Sequence, residues 1–401
     1  MYHGPSHGSP HCRTSHRSLS HLLVGVLSLT LLCSLLTGCT DDDPRDTDDD
    51  TTKGRTAAQG ASDSTDEADS IAEATRVGEV EEGKYRIGVK PVKGERYGYR
   101  VRRTLSMSAG QIATKQEQTY DLTLKVVDVK ADGGIVLGLT FDRIRTSNTG
   151  PVPYADTTAE GDTVIKMTSQ TVTSDTDKKS KIPAMEMMKA YVGRQVLVTT
   201  DPRGGIKAID NIDPIMTATL KAANISADSL GAKQMEMARR ALQFEIGSIV
   251  GVVFFGNPPD SAVAVGSTWN RVDSVPVAGL ATRTNYSFTL TGLKEVKGET
   301  FLTVEGRLNA SPPVPKEPIE DQGVVMKLSS MTVSGTGTSV LDVDGGLPLS
   351  RETSITSVLK GSGSLKEGPE KGKSQPITKK EVATTSITRT SYTPAGATTG
   401  N

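Results

Sequence analysis

After Cys39 the sequence contains no histidine and no further cysteine. All five histidines, His3, His7, His11, His16 and His21, precede it, as do Cys12 and Cys33. The stretch beyond Cys39 therefore lacks the commonest general base at neutral pH, the commonest zinc ligand and any internal disulfide. Catalysis there would have to use carboxylates, lysine, tyrosine or hydroxyls. A serine triad cannot be assembled, and no Gly-x-Ser-x-Gly elbow occurs beyond Cys39. Aromatic residues are scarce at 4% of the chain, with Trp269 the single tryptophan. Neither sign of charge dominates, with 46 Lys and Arg against 47 Asp and Glu, which argues against a general nucleic-acid binder.

Long apolar runs are missing too. The run from Leu22 to Leu36 follows a polar stretch carrying Arg13 and Arg17. It falls short of the about 20 residues that a spanning helix needs, and it matches the h-region of a signal peptide over residues 1–38. The residues Leu36-Thr37-Gly38-Cys39 resemble the lipobox of bacterial lipoproteins. That resemblance implies cleavage before Cys39, acylation of its thiol, the membrane as partner and a cell-envelope location. Thr40 rather than aspartate follows the cysteine, which by the same resemblance favours the outer membrane of a two-membrane bacterium, facing the periplasm or the cell surface. The alternatives are an ordinary secretory signal or a retained anchor helix. Several acyl chains, each contributing about 0.8 kcal/mol per buried methylene, would fix the protein at the bilayer.

Residues 39–83 read as a tether. The run Asp41-Asp42-Asp43-Pro44-Arg45-Asp46-Thr47-Asp48-Asp49-Asp50 opens a stretch without aromatics up to about Val80. Such a composition cannot bury enough apolar surface to fold. Asp46, Asp48 and Asp50 are spaced like the start of a calcium loop, but Thr51 replaces the turn glycine and Ala57 the bidentate glutamate. No metal site and no cofactor are expected.

Beyond Lys84 the pattern turns to period two. Tyr120, Leu122, Leu124 and Val126 alternate with Asp121, Thr123 and Lys125, which describes a strand with one buried face. The doublet Val126-Val127 marks a bulge. Ala131-Asp132-Gly133-Gly134 then turns the chain into Ile135, Leu137, Leu139 and Phe141. The succession repeats. Opening strands at Arg96–Tyr99 and Gly266–Trp269 each lead into a long hairpin, then a strand at Val164–Met167 or Val325–Leu328. A Gly-Gly hairpin closes each half, through Asp201-Pro202-Arg203-Gly204-Gly205 or Asp344-Gly345-Gly346. The expected fold is mainly β, with large antiparallel meander sheets from an internal duplication, 84–212 and 257–395, around a helical insert, 213–256. Convergence of ordinary hairpins is the alternative to duplication. A last strand is expected from Ile377 to Tyr392.

In the insert, Asp213 followed by Pro214 reads as a cap and first helical residue, and Ser226 as the cap of a longer helix. Met235, Ala238, Leu242, Ile246 and Ile249 share one face of it. The methionines Met185, Met187, Met188, Met216, Met235 and Met237 read as core filling, with a soft apolar pocket or a copper(I) site as the alternative. Trp269 reads as a packing residue. The loop Gly368–Ser374 is like a phosphate loop, but its glycine spacing is one residue short and Pro376 follows where a helix is required. Asp142 and Glu305 are candidate acids for a carboxylate hydrolase, against their reading as solvated sheet residues.

The strand opening Gly94–Tyr99, the hairpin end Phe141-Asp142-Arg143-Ile144 and the turn Asp342-Val343-Asp344-Gly345-Gly346-Leu347 resemble a family of uncharacterised bacterial lipoproteins known as a domain of unknown function. The resemblance spans most of residues 84–360 and concerns fold alone. More distantly, a lipoprotein with a large meander and helices is similar to the half-barrel carriers of lipoproteins and lipids in the periplasm, an architectural analogy. The expectation is a non-enzymatic envelope protein sheltering an apolar ligand or protein partner on its sheet; the alternatives are a structural or interaction module without a pocket, and a carboxylate hydrolase. Cys39→Ala is expected to abolish labelling by a fatty-acid analogue and to release the protein into the soluble fraction. Persistent labelling would refute the lipobox.

Overall fold

The structure, a computed structural model, describes residues 79–397 apart from 82, 89, 110–111, 158–162, 179–182, 255–257, 260, 278–279, 297–298, 315–316, 322–323, 344–346 and 366–372. Leu36, Thr37, Gly38, Cys39, the acidic run and most of the phosphate-loop lookalike lie outside the described residues.

Two short strands come first, β1 (Glu79–Glu81) and β2 (Lys84–Tyr85). The first meander holds β3 (Arg96–Ala109), β4 (Ile112–Val129), β5 (Ile135–Thr157) and β6 (Thr163–Asp175). Helix α1 (Pro183–Lys189) and the hairpin of β7 (Gln195–Thr200) and β8 (Ile206–Asp210) follow. The insert holds α2 (Asp213–Ala222), a 3-10 turn at Ala227–Ser229 and α3 (Ala232–Gly251). After β9 (Val263–Ala264) comes the second meander: β10 (Thr268–Val277), β11 (Leu280–Val296), β12 (Glu299–Ala310), β13 (Ile319–Asp321), β14 (Val324–Asp342), β15 (Pro348–Leu365) and β16 (Gln375–Thr393).

Thirteen of these strands form one antiparallel sheet in the order β10-β11-β12-β14-β15-β16-β3-β4-β5-β7-β8, with β13 on β14 and β6 on β5. Strands β1, β2 and β9 form a separate small sheet. The fold is thus mainly β and antiparallel with few helices, as the alternation indicates. The last strand, β16, lies in the middle of the order. It pairs with β15 on one side and with β3 on the other, so the two meanders share one sheet.

Register explains the sheet's sidedness. Leu290, Val304, Ser339, Arg351, Ile387, Val101, Tyr120 and Ile144 are successive cross-strand partners, and paired residues point to the same side. This row faces the helices, and Leu290, Val304, Ile387, Val101, Tyr120 and Ile144 are buried. The adjacent row on the same strands reads Thr289, Glu305, Thr338, Glu352, Ser386, Arg102, Thr119 and Arg145. It is polar throughout. Period-two alternation is therefore kept across eight strands, which is what a sheet with one solvated face requires.

The Val126-Val127 doublet is a bulge, as the register slips between Val126 and Asp128. At the β7–β8 turn, Asp201 Oδ1 accepts from the backbone N–H groups of Arg203 (2.9 Å) and Gly205 (2.8 Å). Gly204 there has φ +85°, and a Cβ would lie 3.1 Å from the Phe254 side chain, so both backbone and space call for glycine. Three expectations need correction. Residues 325–328 and 340–342, read as parts of separate strands, belong to the single strand β14, whose long ladder to β15 leaves no reason to break. Asp213 is the first helical residue of α2; Ile212 takes the cap position, without a side-chain cap bond. Ser226 starts only the 3-10 turn, whereas α3 begins after Gly231, whose N–H donates to Gln234 Oε1 at 3.0 Å.

No helix among the described residues is long and apolar enough to cross a membrane. A chain ending at residue 374 loses β16 and exposes the edges of β15 and β3. It is expected to bind a hydrophobic dye and aggregate when expressed; a soluble chain with wild-type cooperative unfolding would contradict this.

Candidate binding site

The helix-facing side carries three apolar clusters. In the first, Tyr99, Leu122, Leu139 and Phe141 of the sheet meet Ile215, Leu220, Leu242, Ile246 and Ile249 of the insert. Met188, Met216 and Met235 belong to or pack against it, as core filling requires, while Met237 is exposed. In the second, Phe288, Leu290, Leu302, Val304 and Leu341 are covered by Ile87, Val263 and Tyr85 from around the small sheet. Trp269 stacks on Phe288 with ring centroids 5.7 Å apart. The third joins Ala310, Met331 and Val333 with Leu308, Ile355 and Leu359, and all its members come from β12, β14 and β15.

The third cluster continues the apolar side along the same strands. Val333 lies opposite Ala310 and Ser357, and Met331 lies opposite Leu359. Between it and the second cluster the sheet has no side chains on two adjoining strands, because Gly306 and Gly337 are paired directly. A Cβ would come within 3.1 Å of the Phe288 ring at Gly306, and within 2.9 Å of the Thr353 methyl at Gly337. The Phe288 ring and the Thr353 methyl lean over this glycine floor, and beside it lies the third cluster, to which no described helix residue contributes and of which Leu308, Ile355 and Leu359 are only partly buried.

Polar groups fix the insert over the seam. Arg103 on β3 donates to Ser248 Oγ at 3.2 Å and to the Ser248 carbonyl. Arg351 on β15 donates to the carbonyls of Phe254 (2.9 Å) and Val252 (3.4 Å). Two cations thus meet carbonyls in and after the last turns of α3, where a helix presents its negative end. Burial pulls the Arg351 guanidinium below its ordinary value, with Tyr286 opposing. Glu245 on α3 accepts from Tyr191 Oη at 2.9 Å. Burial raises the Glu245 carboxyl above the usual range, with the Tyr191 bond and Arg103 opposing, and burial beside Glu245 holds the Tyr191 phenol well above its ordinary value.

At the strand ends, the buried Glu95 accepts from the Val92 N–H (2.7 Å), Tyr97 Oη (2.6 Å) and Tyr392 Oη (2.8 Å). Arg389 donates to Asp342 Oδ2 at 3.1 Å, and its Cζ lies 5.8 Å from the ring centre of Tyr97 and 5.9 Å from those of Phe301 and Tyr392.

Two hollows lie on the polar side among the described residues. One, about 660 Å³, is lined by Glu305, Arg307, Glu352 and hydroxyls of β11, β14 and β15. The other, about 540 Å³, is lined by Arg100, Arg102, Arg145, Lys178, Glu117, Asp175 and hydroxyls of β4 to β6. Asp142 and Glu305 are not brought together: five strands separate β5 from β12, and Asp142 accepts from Thr123 Oγ1 at 2.8 Å. Reading the sequence missed Arg103, Arg351, Glu245 and the Gly306–Gly337 floor. The arginines carried a signal, since each occupies an inward position of an alternating strand: Val101, Arg103, Leu105 and Leu349, Arg351, Thr353.

Because the Glu245 carboxyl lies above its unfolded range, its contribution is fully present below that range and is lost as pH rises toward the folded value. Glu245→Gln keeps an acceptor for Tyr191 and removes the ionisation. It is expected to raise the melting temperature near pH 7.5 and to flatten the loss of stability that the wild type shows as pH rises above about 4.5. Calorimetry across that window decides; a variant as pH-sensitive as wild type would refute the assignment.

Residues 160–348 match the model described as a family of unknown function (DUF6263). No curated protein matches the sequence. Among solved structures, one of lipid–protein interactions in lipovitellin is similar at 9% identity and a TM-score of 0.39, over 77% of this chain and 26% of that one. A DUF1329 family protein from Desulfovibrio piger is similar at 11% identity and 0.16, over 77% and 88%. OprB from Pseudomonas putida is similar at 6% and 0.18, over 73% and 92%. The chain spans about a quarter of the lipovitellin chain. With TM-scores below 0.5, these likenesses establish no common fold. The resemblance to a domain of unknown function, read from strands and turns, is borne out by the DUF6263 match over residues 160–348.

Proposed function

We propose that the protein is a bacterial envelope lipoprotein, acylated at Cys39 and held on an acidic tether, whose folded part is a non-enzymatic binder of an apolar ligand or partner segment. The observation that carries the binding reading is the third cluster, Leu308, Ala310, Met331, Val333, Ile355 and Leu359, next to the Gly306–Gly337 floor. The insert completes the first cluster and segments around the small sheet complete the second, but only strand residues make the third. A ligand lying along β12, β14 and β15 would extend the apolar packing there, with Phe288 and Thr353 at its side. The two-half organisation, 84–212 and 257–395 around the insert, is part of the same reading. The separation of Asp142 from Glu305 supports a binder over a hydrolase.

A second reading, a pocketless interaction module, draws on the first cluster, where Ile215, Ile246, Ile249 and Val253 of the insert are fully buried on the sheet. One experiment separates the two. The full chain, purified gently, is expected to retain an extractable lipid seen by mass spectrometry and to bind a fluorescent fatty acid. Met331→Asp, which places a charge in the third cluster, is expected to weaken that binding at least tenfold. Absence of both retained lipid and fatty-acid binding would leave the interaction module.

A further inference from the structure

The polar side of the first half holds a second candidate site, on the opposite face from the apolar surface and independent of it. Arg100 and Arg102 alternate outward on β3, and Arg143 and Arg145 do so on β5. Between them β4 carries Thr119 and Asp121. Four guanidiniums thus surround one strand. Three of them, Arg100, Arg102 and Arg145, line a hollow of about 540 Å³ together with Lys178, against two carboxylates, Glu117 and Asp175. The hollow on the second half has the reverse balance, with Arg307 against Glu305 and Glu352.

The ion pairs hold these arginines in place without using up their donors. Asp121 accepts from Arg100 Nε at 2.6 Å and from Arg145 Nη2 at 3.0 Å. Glu117 accepts from Arg102 Nη2 at 3.1 Å, and Asp175 accepts from Arg143 through two nitrogens. Each guanidinium has five N–H donors, so most of each fork stays available. Arg145 Nε is buried with no hydrogen-bond partner, a donor still needing an acceptor. Hydroxyls of Thr119, Ser147 and Thr173 lie in the same lining.

We propose that this hollow binds a phosphate group. Arg102 and Arg145 flank Thr119 one strand to either side, roughly 10 Å apart at the backbone. A planar carboxylate has two oxygens and saturates one fork. A phosphate group is tetrahedral, so its non-bridging oxygens, two in a diester and three in a terminal phosphate, point away from its other two or one substituents in different directions and can accept from guanidiniums on both β3 and β5 while a hydroxyl donates from β4. The ion pairs set the arginines in advance, so less side-chain freedom is lost when the anion arrives.

The test is calorimetric titration of the full chain with inorganic pyrophosphate and, separately, with glycerophosphoglycerol, a soluble phosphodiester headgroup without acyl chains. Saturable binding of either probe, weakened at least tenfold in the Arg102→Ala, Arg145→Ala double variant, is expected. Tighter binding of pyrophosphate points to a free phosphate as the source, and tighter binding of glycerophosphoglycerol to a lipid headgroup. Arg102→Lys with Arg145→Lys keeps the charge but loses the forks, and is expected to bind nearly as weakly as the alanine pair. This lysine pair keeps the test valid where the alanine pair fails to fold. Glu305→Gln in the other hollow is expected to leave binding unchanged. No saturable binding of either probe, or lysine variants that bind as well as wild type, would overturn the proposal.

Discussion

The two meanders are one sheet because the last strand of the chain is hydrogen-bonded between them. From Lys379 opposite Ala109 to Thr393 opposite Arg96, β16 runs along nearly all of β3, and on its other side it runs along β15. A strand in the middle of so large a sheet would ordinarily be held by apolar side chains, yet Ile387 is the single fully buried residue along it. Its hold comes from the two ladders and from one end. There Arg389 sits among Tyr97, Phe301 and Tyr392 with Asp342 as counter-ion, joining β16 to β3, β12 and β14. Only 6% of the Arg389 side chain is exposed, and losing one member of so enclosed a pair costs about 3–5 kcal/mol. The insert reinforces the junction from above, since Arg103 and Arg351 reach it from strands on either side of β16.

This junction has a consequence for function. Joining the halves aligns their alternation, so one side of the whole sheet is apolar and the other is hydroxyl-rich and charged. The apolar side is then longer than the insert can cover. The twenty residues of α3 span about 30 Å along their axis, and α3 is anchored at its C-terminal end over β3 and β15. The distal parts of β12, β14 and β15 must complete their packing otherwise, and that is where the third cluster and the glycine floor lie. Met331 and Val333 are already buried there, so what an apolar occupant would gain is cover for the partly buried Leu308, Ile355 and Leu359.

What could be read from the sequence follows from what is local. Alternation in Tyr120–Val126 and Ile135–Phe141, the Val126-Val127 bulge, the Asp201–Gly205 turn and the last strand depend on neighbours two to five residues apart, and the structure has them. The placing of β16 between β15 and β3 depends on pairing residues some 280 positions apart, such as Ile387 with Val101, and no local pattern encodes it. Residues 325–328 and 340–342 were misread as parts of separate strands because Ser334, Gly335, Gly337 and Ser339 resemble turn material, while long ladders on both sides keep β14 extended. The cap at Ser226 failed for a related reason. Gly231 and Gln234 satisfy the start of α3 between them, and the chain from Ser226 closes a 3-10 turn first. The site residues were the least legible, because an inward arginine such as Arg103 makes sense only once the carbonyl of Ser248 is known to lie above it.

An open sheet this wide must also keep its free strands from pairing with other molecules. Strand β10 has Pro276, which removes a backbone donor, and the charged Asp273, both unfavourable to a further partner strand. Strand β8 is only five residues long, with Lys207 exposed. Strand β6 is longer and pairs only with β5 among the described strands. Its exposed run is Thr168, Ser169, Gln170, Thr171, Val172 and Thr173, residues of good β propensity with no charge among them until Asp175. That charge is spent on Arg143 rather than on guarding the edge. The same ion pair that orders the arginines of the polar hollow therefore leaves β6 the least defended edge of the sheet, and a hydrophilic threonine-rich surface is the device that limits association there.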